Sequence, residues 1–178
     1  NSEGNTCTIG FNETEDIKLA YDHIKNKGEK NIVLWGISMG ASTIAKAVKD
    51  YQLEPQKVIL EMPFGTIKDA VRGRLKIMGL PAEPIGTLLT FWGGTEHGFW
   101  AFGMKPQEFA SAIKCPVLLQ WGKSDPRVSQ SEEEISFKNI SNTNNLSESG
   151  KRKANDRCKC VTYNLSDGCN NFFRFNCK

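Results

Sequence analysis

Histidine is almost missing from this chain: His23 and His97 are the two among 178 residues. Chemistry that needs an imidazole, as general base or metal ligand, therefore has few sources. Long apolar runs are missing too. No segment reaches the roughly 18 consecutive apolar residues of a membrane-spanning helix. The opening residues, NSEGNTCTIG, carry no basic start and no apolar stretch, so no signal-peptide pattern is present there. Neither sign of charge dominates: Lys and Arg number 23 against 20 Asp and Glu, a net charge of +3, which gives no argument for a nucleic-acid partner. Cys-x-x-Cys pairs are absent. Four cysteines, Cys158, Cys160, Cys169 and Cys177, crowd the end of the chain, but their spacing with no nearby histidine is a poor fit to a metal site. The sequence does not fix a compartment. Four Asn-x-Ser/Thr matches, at Asn12, Asn139, Asn145 and Asn164, are expected by chance in a chain this rich in Asn and Ser.

What is present suits one domain spanning residues 1–178, at 39% hydrophobic and 24% charged. FNETEDIKLAYDHIKNKG predicts a helix, with Ile17, Ala20, Tyr21 and Ile24 at helical spacing and acidic residues at its start. NIVLWG predicts a buried strand, and SMGASTIAKAVKDYQ a helix with Ile44, Ala45, Val48 and Tyr51 on one face. KVILEMPF, CPVLLQWG and, more weakly, CVTYNL predict further strands. Short apolar strands alternating with helices predict an α/β fold, a parallel sheet covered on both faces. Residues 64–114 form a long insertion, containing a helix at GTIKDAVRGRLKIMG and then an aromatic- and glycine-rich stretch. It is either a lid or an extra packed layer. Phe91, Trp92, Phe99, Trp100 and Phe102 either line an apolar pocket or pack in the core. Residues 139–159 read as a polar loop, and the basic run KRKANDRCK within it as solvated chain.

One short stretch carries chemistry. NIVLWGISMGAS runs an apolar strand straight into Gly-x-Ser-x-Gly, with Ser38 between Gly36 and Gly40. A serine hydroxyl attacks only when a base takes its proton and donors stabilise the oxyanion. A tight strand-to-helix turn lifts the serine out of the sheet, and crowding on that turn calls for small residues at 36 and 40. The N–H of Met39 then faces the site where the oxyanion forms, assisted by the helix dipole. The spacing fits neither a phosphate-binding P-loop nor a dinucleotide fingerprint.

IVLWGISMGAS resembles the nucleophile elbow of the α/β-hydrolase superfamily. TIGFNETEDIKLAYDHIKNKG, leading into it, is similar to the prolyl-oligopeptidase-like and serine-aminopeptidase-like branch. So is MKPQEFASAIKCPVLLQWGKSDPRV, whose strand ends in a Gly-x-x-Asp-x-x-Val loop. Together the matching blocks span about residues 6–128. The resemblance implies Ser38 as nucleophile, Met39 as an oxyanion-hole donor and Asp125 as the acid of a triad. Asp125 just past a buried strand also suits the end of an open α/β sheet where functional loops gather. The alternative for Asp125 is a turn-forming residue ahead of Pro126.

The pattern breaks at the base. The family places a histidine in a loop after the last strand, and YNLSDGCNNFF puts Cys169 there. A thiol at neutral pH is a poor substitute unless its pKa is strongly lowered. His97 lies in the insertion, ahead of Asp125, out of the family's chain order. The N-terminal strands of the fold and the loop holding its second oxyanion donor are also expected but not seen. The strand carrying Ser38 is therefore expected to have an open edge, covered by a further segment or a second chain. The resemblance implies a serine hydrolase cleaving an ester, amide or short peptide, without metal or organic cofactor. The alternative is a hydrolase-like binding module.

Overall fold

The computed structural model describes residues 7–121, 127–142 and 161–164. Four strands, β1 (Val33–Ile37), β2 (Lys57–Glu61), β3 (Val117–Trp121) and β4 (Val161–Asn164), pair in that order, all parallel. Parallel neighbours need crossovers, and helices supply them. In chain order the helices are α1 (Thr14–Asn26), which precedes β1, and in the crossovers α2 (Met39–Tyr51), α3 (Ile67–Ile77), α4 (Ile85–Glu96), α5 (Pro106–Phe109) and α6 (Gln130–Asn142).

The register explains the core. Leu34 pairs with Val58 and Gly36 with Leu60, while Val58 and Leu60 pair with Val117 and Leu119. Side chains alternate along a strand, so these residues share one face. Val58, Leu60, Val117 and Leu119 are buried, packed with Ala41, Ile44, Ala45 and Val48 of α2. Helix α2 ends on Gln52 in the left-handed conformation. Helix α1 leans on α2 through a narrow stripe. Tyr21 is buried, its hydroxyl donating to the Glu54 carbonyl at 2.9 Å, whereas Ala20 and Ile24 are exposed.

The sheet's other face departs from the expected cover. Val33, Trp35 and Ile37 of β1 are 44%, 65% and 53% exposed, although Ile59 and Leu118 on the same face are buried. The Trp35 indole N–H donates to Glu61 at 2.8 Å, giving the ring a polar anchor at the rim. β1 is an edge strand among the described residues, with β2 as its neighbour and β4 at the opposite edge.

Between β2 and β3, residues 64–114 form the α3–α4 pair and then α5. Thr66 caps α3, its hydroxyl oxygen accepting from the Asp69 amide at 3.1 Å. Gly73 lets α3 approach the loop after β3: a Cβ there would lie 2.4 Å from the Arg127 carbonyl oxygen. Helix α6 continues to Asn142, inside the segment that composition reads as loop.

Candidate active site

Ser38 sits between the last residue of β1 and the first of α2, with φ 51° and ψ −111°. That region is sparsely populated for any residue with a Cβ, and such strain costs about 1–3 kcal/mol. Two backbone bonds hold it. The Ser38 N–H donates to the Glu61 carbonyl at 2.7 Å, extending the β1–β2 ladder one residue past the strand, and the Ser42 N–H donates to the Ser38 carbonyl at 3.1 Å. Met62, the residue after β2, also has positive φ, at 49°. Strained backbone therefore recurs at the carboxyl ends of two neighbouring strands.

The two glycines around Ser38 are not equivalent. A Cβ on Gly36 would lie 2.5 Å from the Gly40 carbonyl carbon and 2.6 Å from the Ala41 nitrogen, so only glycine lets β1 pass under the first turn of α2. A Cβ on Gly40 would meet nothing within 4 Å. Its own surroundings place no steric demand for glycine, unlike the sequence expectation.

Ser38 and Met39 are both exposed. The first N–H groups of a helix have no acceptor within it and carry partial positive charge. Met39 opens α2, so its amide is one of these. Its carbonyl accepts from the Thr43 hydroxyl at 2.7 Å, and the Cys7 thiol contacts its sulfur at 3.6 Å. Among the described residues no hydrogen bond involves the Ser38 hydroxyl.

The segment TIGFNE forms a clasp against α2, a role that the sequence analysis missed. Glu13 accepts from the Thr8 amide at 2.7 Å, the Thr8 hydroxyl at 2.6 Å and the Gly10 amide at 2.9 Å. Partial burial opposes its charge, but the hydrogen bonds, led by the Thr8 hydroxyl and amide, outweigh that and hold its pKa below the ordinary value. Gly10, at φ 90°, presses on α2: a Cβ there would lie 2.5 Å from the Thr43 hydroxyl oxygen. Thr43 is the residue bonded to the Met39 carbonyl, so the clasp abuts the turn that carries Ser38.

Asp125 and Cys169 lie outside the described residues, as do Cys158, Cys160 and Cys177. His23 is exposed in the last turn of α1, and His97 is exposed at the end of α4, its backbone N–H donating to Gly93. No hydrogen bond joins either to Ser38 among the described residues. The aromatics of the insertion do not form a core. Phe91, Trp92 and Trp100 are exposed; Phe99 is half-buried and stacks on Phe11 at 4.6 Å between ring centroids.

A parallel sheet in this strand order, with a strained serine between an edge strand and a helix, defines a partial α/β-hydrolase fold. Solved structures share it. The Pyrococcus furiosus esterase Pf2001 is 19% identical over 89% of this chain and 55% of its own, with a TM-score of 0.59. A Mycobacterium tuberculosis puromycin-hydrolyzing peptidase is 17% identical over 88% of this chain and 22% of its own, with a TM-score of 0.59. The Pyrococcus horikoshii acylaminoacyl peptidase is 14% identical over 76% of this chain and 22% of its own, with a TM-score of 0.54. The chain thus spans about half the length of the esterase and a smaller share of the peptidases. No protein-family model matches it, and no curated protein matches it by sequence.

Proposed function

We propose that the chain is the nucleophile-bearing part of a serine hydrolase acting on an ester, an amide or a short peptide. The observation that carries this reading is the Ser38 backbone, held at φ 51° at the head of α2 with its side chain exposed. Strain of this kind clusters at active sites, ligand clamps and switch regions. Ser38 Oγ attacks the substrate carbonyl carbon and its proton passes to a base. The carbonyl oxygen, now an oxyanion, accepts from the Met39 N–H at the positive end of α2. The base returns that proton to the leaving alcohol or amine as the intermediate collapses, and water then attacks the acyl-Ser38 ester, releasing the carboxylic acid and restoring the Ser38 hydroxyl. Asp125 is the acid of the triad in this reading, and Cys169 stands where its imidazole belongs. The test is covalent labelling by a fluorophosphonate, wild type against Ser38→Ala.

A second reading has an observation of its own. Both histidines are exposed and neither is bonded to Ser38, which favours a hydrolase-like module that binds an ester or peptide without turning it over. A ligand that shifts the melting temperature equally in wild type and Ser38→Ala, with no labelling of either, supports that reading.

A further inference from the structure

Glu13 stands at the N-cap of α1, yet its side chain caps nothing in that helix. An N-cap side chain ordinarily accepts from the first amides of its own helix. Glu13 instead gives both carboxylate oxygens to the turn before it, through Thr8 and Gly10. The Thr8 hydroxyl also accepts from the Asn12 amide at 2.8 Å, so the turn is closed on itself. The insertion and α2 press on it from outside. Phe11 stacks on Phe99, the Lys46 ammonium lies 4.4 Å from the Phe11 ring centroid, and a Cβ on Gly10 would lie 3.2 Å from Cε of the fully buried Met104.

The turn bears on one hydroxyl. A Cβ on Gly10 would lie 2.5 Å from Thr43 Oγ1, and Thr43 is buried. That hydroxyl donates to the Met39 carbonyl at 2.7 Å. A threonine that bonds back to the carbonyl four residues earlier bends the helix at that point. Here the bend falls on the first turn of α2. The peptide joining Ser38 to Met39 is thereby held at both ends. Its carbonyl, that of Ser38, accepts from the Ser42 amide. Beyond its N–H, that of Met39, the chain is tied by Thr43 through the Met39 carbonyl and by the Cys7 thiol through the Met39 sulfur.

We propose that Thr43 is a positioning residue for the oxyanion donor: its hydroxyl, kept in place by Gly10 of the Glu13-bound turn, aims the Met39 N–H at the reacting carbonyl oxygen. This rests on the serine-hydrolase reading of Ser38. Thr43 touches no reacting atom and acts through Met39. The effect is catalytic because a donor helps only where the oxyanion forms. Losing one oxyanion-hole donor outright costs about 100- to 1,000-fold in rate, and a misplacement of about 1 Å can cost about 100-fold. The Gly10 contact gives the hydroxyl no room to swing away from Met39 toward the turn.

The test is the rate at which a fluorophosphonate labels Ser38 in the whole chain, followed against probe concentration. Thr43→Val removes the hydroxyl, and Thr43→Ser retains it. Thr43→Val should lower the limiting rate by about 10- to 100-fold, with the half-saturating concentration within about twofold of wild type. Thr43→Ser should restore the rate to within about threefold. Thermal unfolding verifies that each variant is folded, and Thr43→Ala takes the place of Thr43→Val if valine is not tolerated. Folded Glu13→Gln, with its turn loosened, should also label more slowly. Labelling of Thr43→Val at the wild-type rate overturns the proposal and leaves the serine-hydrolase reading standing. Equal slowing in Thr43→Val and Thr43→Ser overturns it too, since the hydroxyl is then not the cause. Wild-type labelling of folded Glu13→Gln overturns the part given to the turn. A wild-type chain that takes no label overturns the serine-hydrolase reading itself, and the proposal with it.

Discussion

Gly36 lies directly under the backbone of Gly40, with room for a hydrogen and none for a methyl group. That contact lets β1 enter α2 through a single strained residue. Gly36→Ala should therefore destabilise the fold by about 1–3 kcal/mol through overpacking. Gly40→Ala should be neutral or stabilising by up to about 1 kcal/mol, since its Cβ position is open and alanine favours helix. Urea unfolding of the two variants distinguishes them. Equal destabilisation would show that the two glycines constrain the turn alike.

The Glu13 clasp yields a second expectation. Glu13→Gln retains the size of the side chain but replaces one carboxylate acceptor with an amide nitrogen, opposing at least one donor from Thr8 or Gly10. Loss of about 1–3 kcal/mol is expected at pH 7, read by urea unfolding. The wild-type pKa is depressed in the fold, so the carboxylate's contribution is complete above the ordinary value of 4.5 and is lost as pH falls through the folded value. The difference between wild type and Glu13→Gln should therefore shrink on acidification. A difference that grows below pH 4.5 contradicts the clasp.

Glu83 gives the clearest titration. Its pKa is lowered to about 2, first by the Thr87 hydroxyl and then by Lys68, with Arg72 adding charge. Carbon-detected NMR should place its midpoint well below 4.5, and Thr87→Val should raise it. The ionised carboxylate favours the folded α3–α4 turn above 4.5, and that contribution fades as pH falls toward about 2. An ordinary midpoint unaffected by Thr87→Val refutes the bonding described.

Hydrolysis of p-nitrophenyl acetate addresses the base. A positioned general base contributes about 100- to 10,000-fold. Cys169→His should raise turnover by about 100-fold or more, and Ser38→Ala added to it should abolish the gain. Near-zero rates unchanged by Cys169→His would remove that position from the reading.

Much of this fold is legible in the sequence because its signals are periodic. NIVLWG ends in the glycine that the turn requires, and α2 repeats apolar residues at helical spacing, so β1, Ser38 and α2 stand out together. Helix α4 does not, because it buries small residues and exposes large ones, which removes the usual contrast between faces. Helix α6 is hidden by a polar composition running toward the chain's Asn- and Ser-rich segment. Glu13 escapes notice for another reason. Its donors are a hydroxyl and two backbone amides of one local turn, and no periodicity reports them. Asp125 and Cys169 rest on resemblance, since they fall outside the described residues.

Labelling of Ser38 tests the central claim most directly. Purified chain is treated with a fluorophosphonate, and the modified peptide is located by mass spectrometry. The account predicts a single phosphonyl adduct on Ser38, blocked by prior heat denaturation and absent from Ser38→Ala. No adduct on the native wild-type chain, or an adduct that persists unchanged in Ser38→Ala, would contradict it.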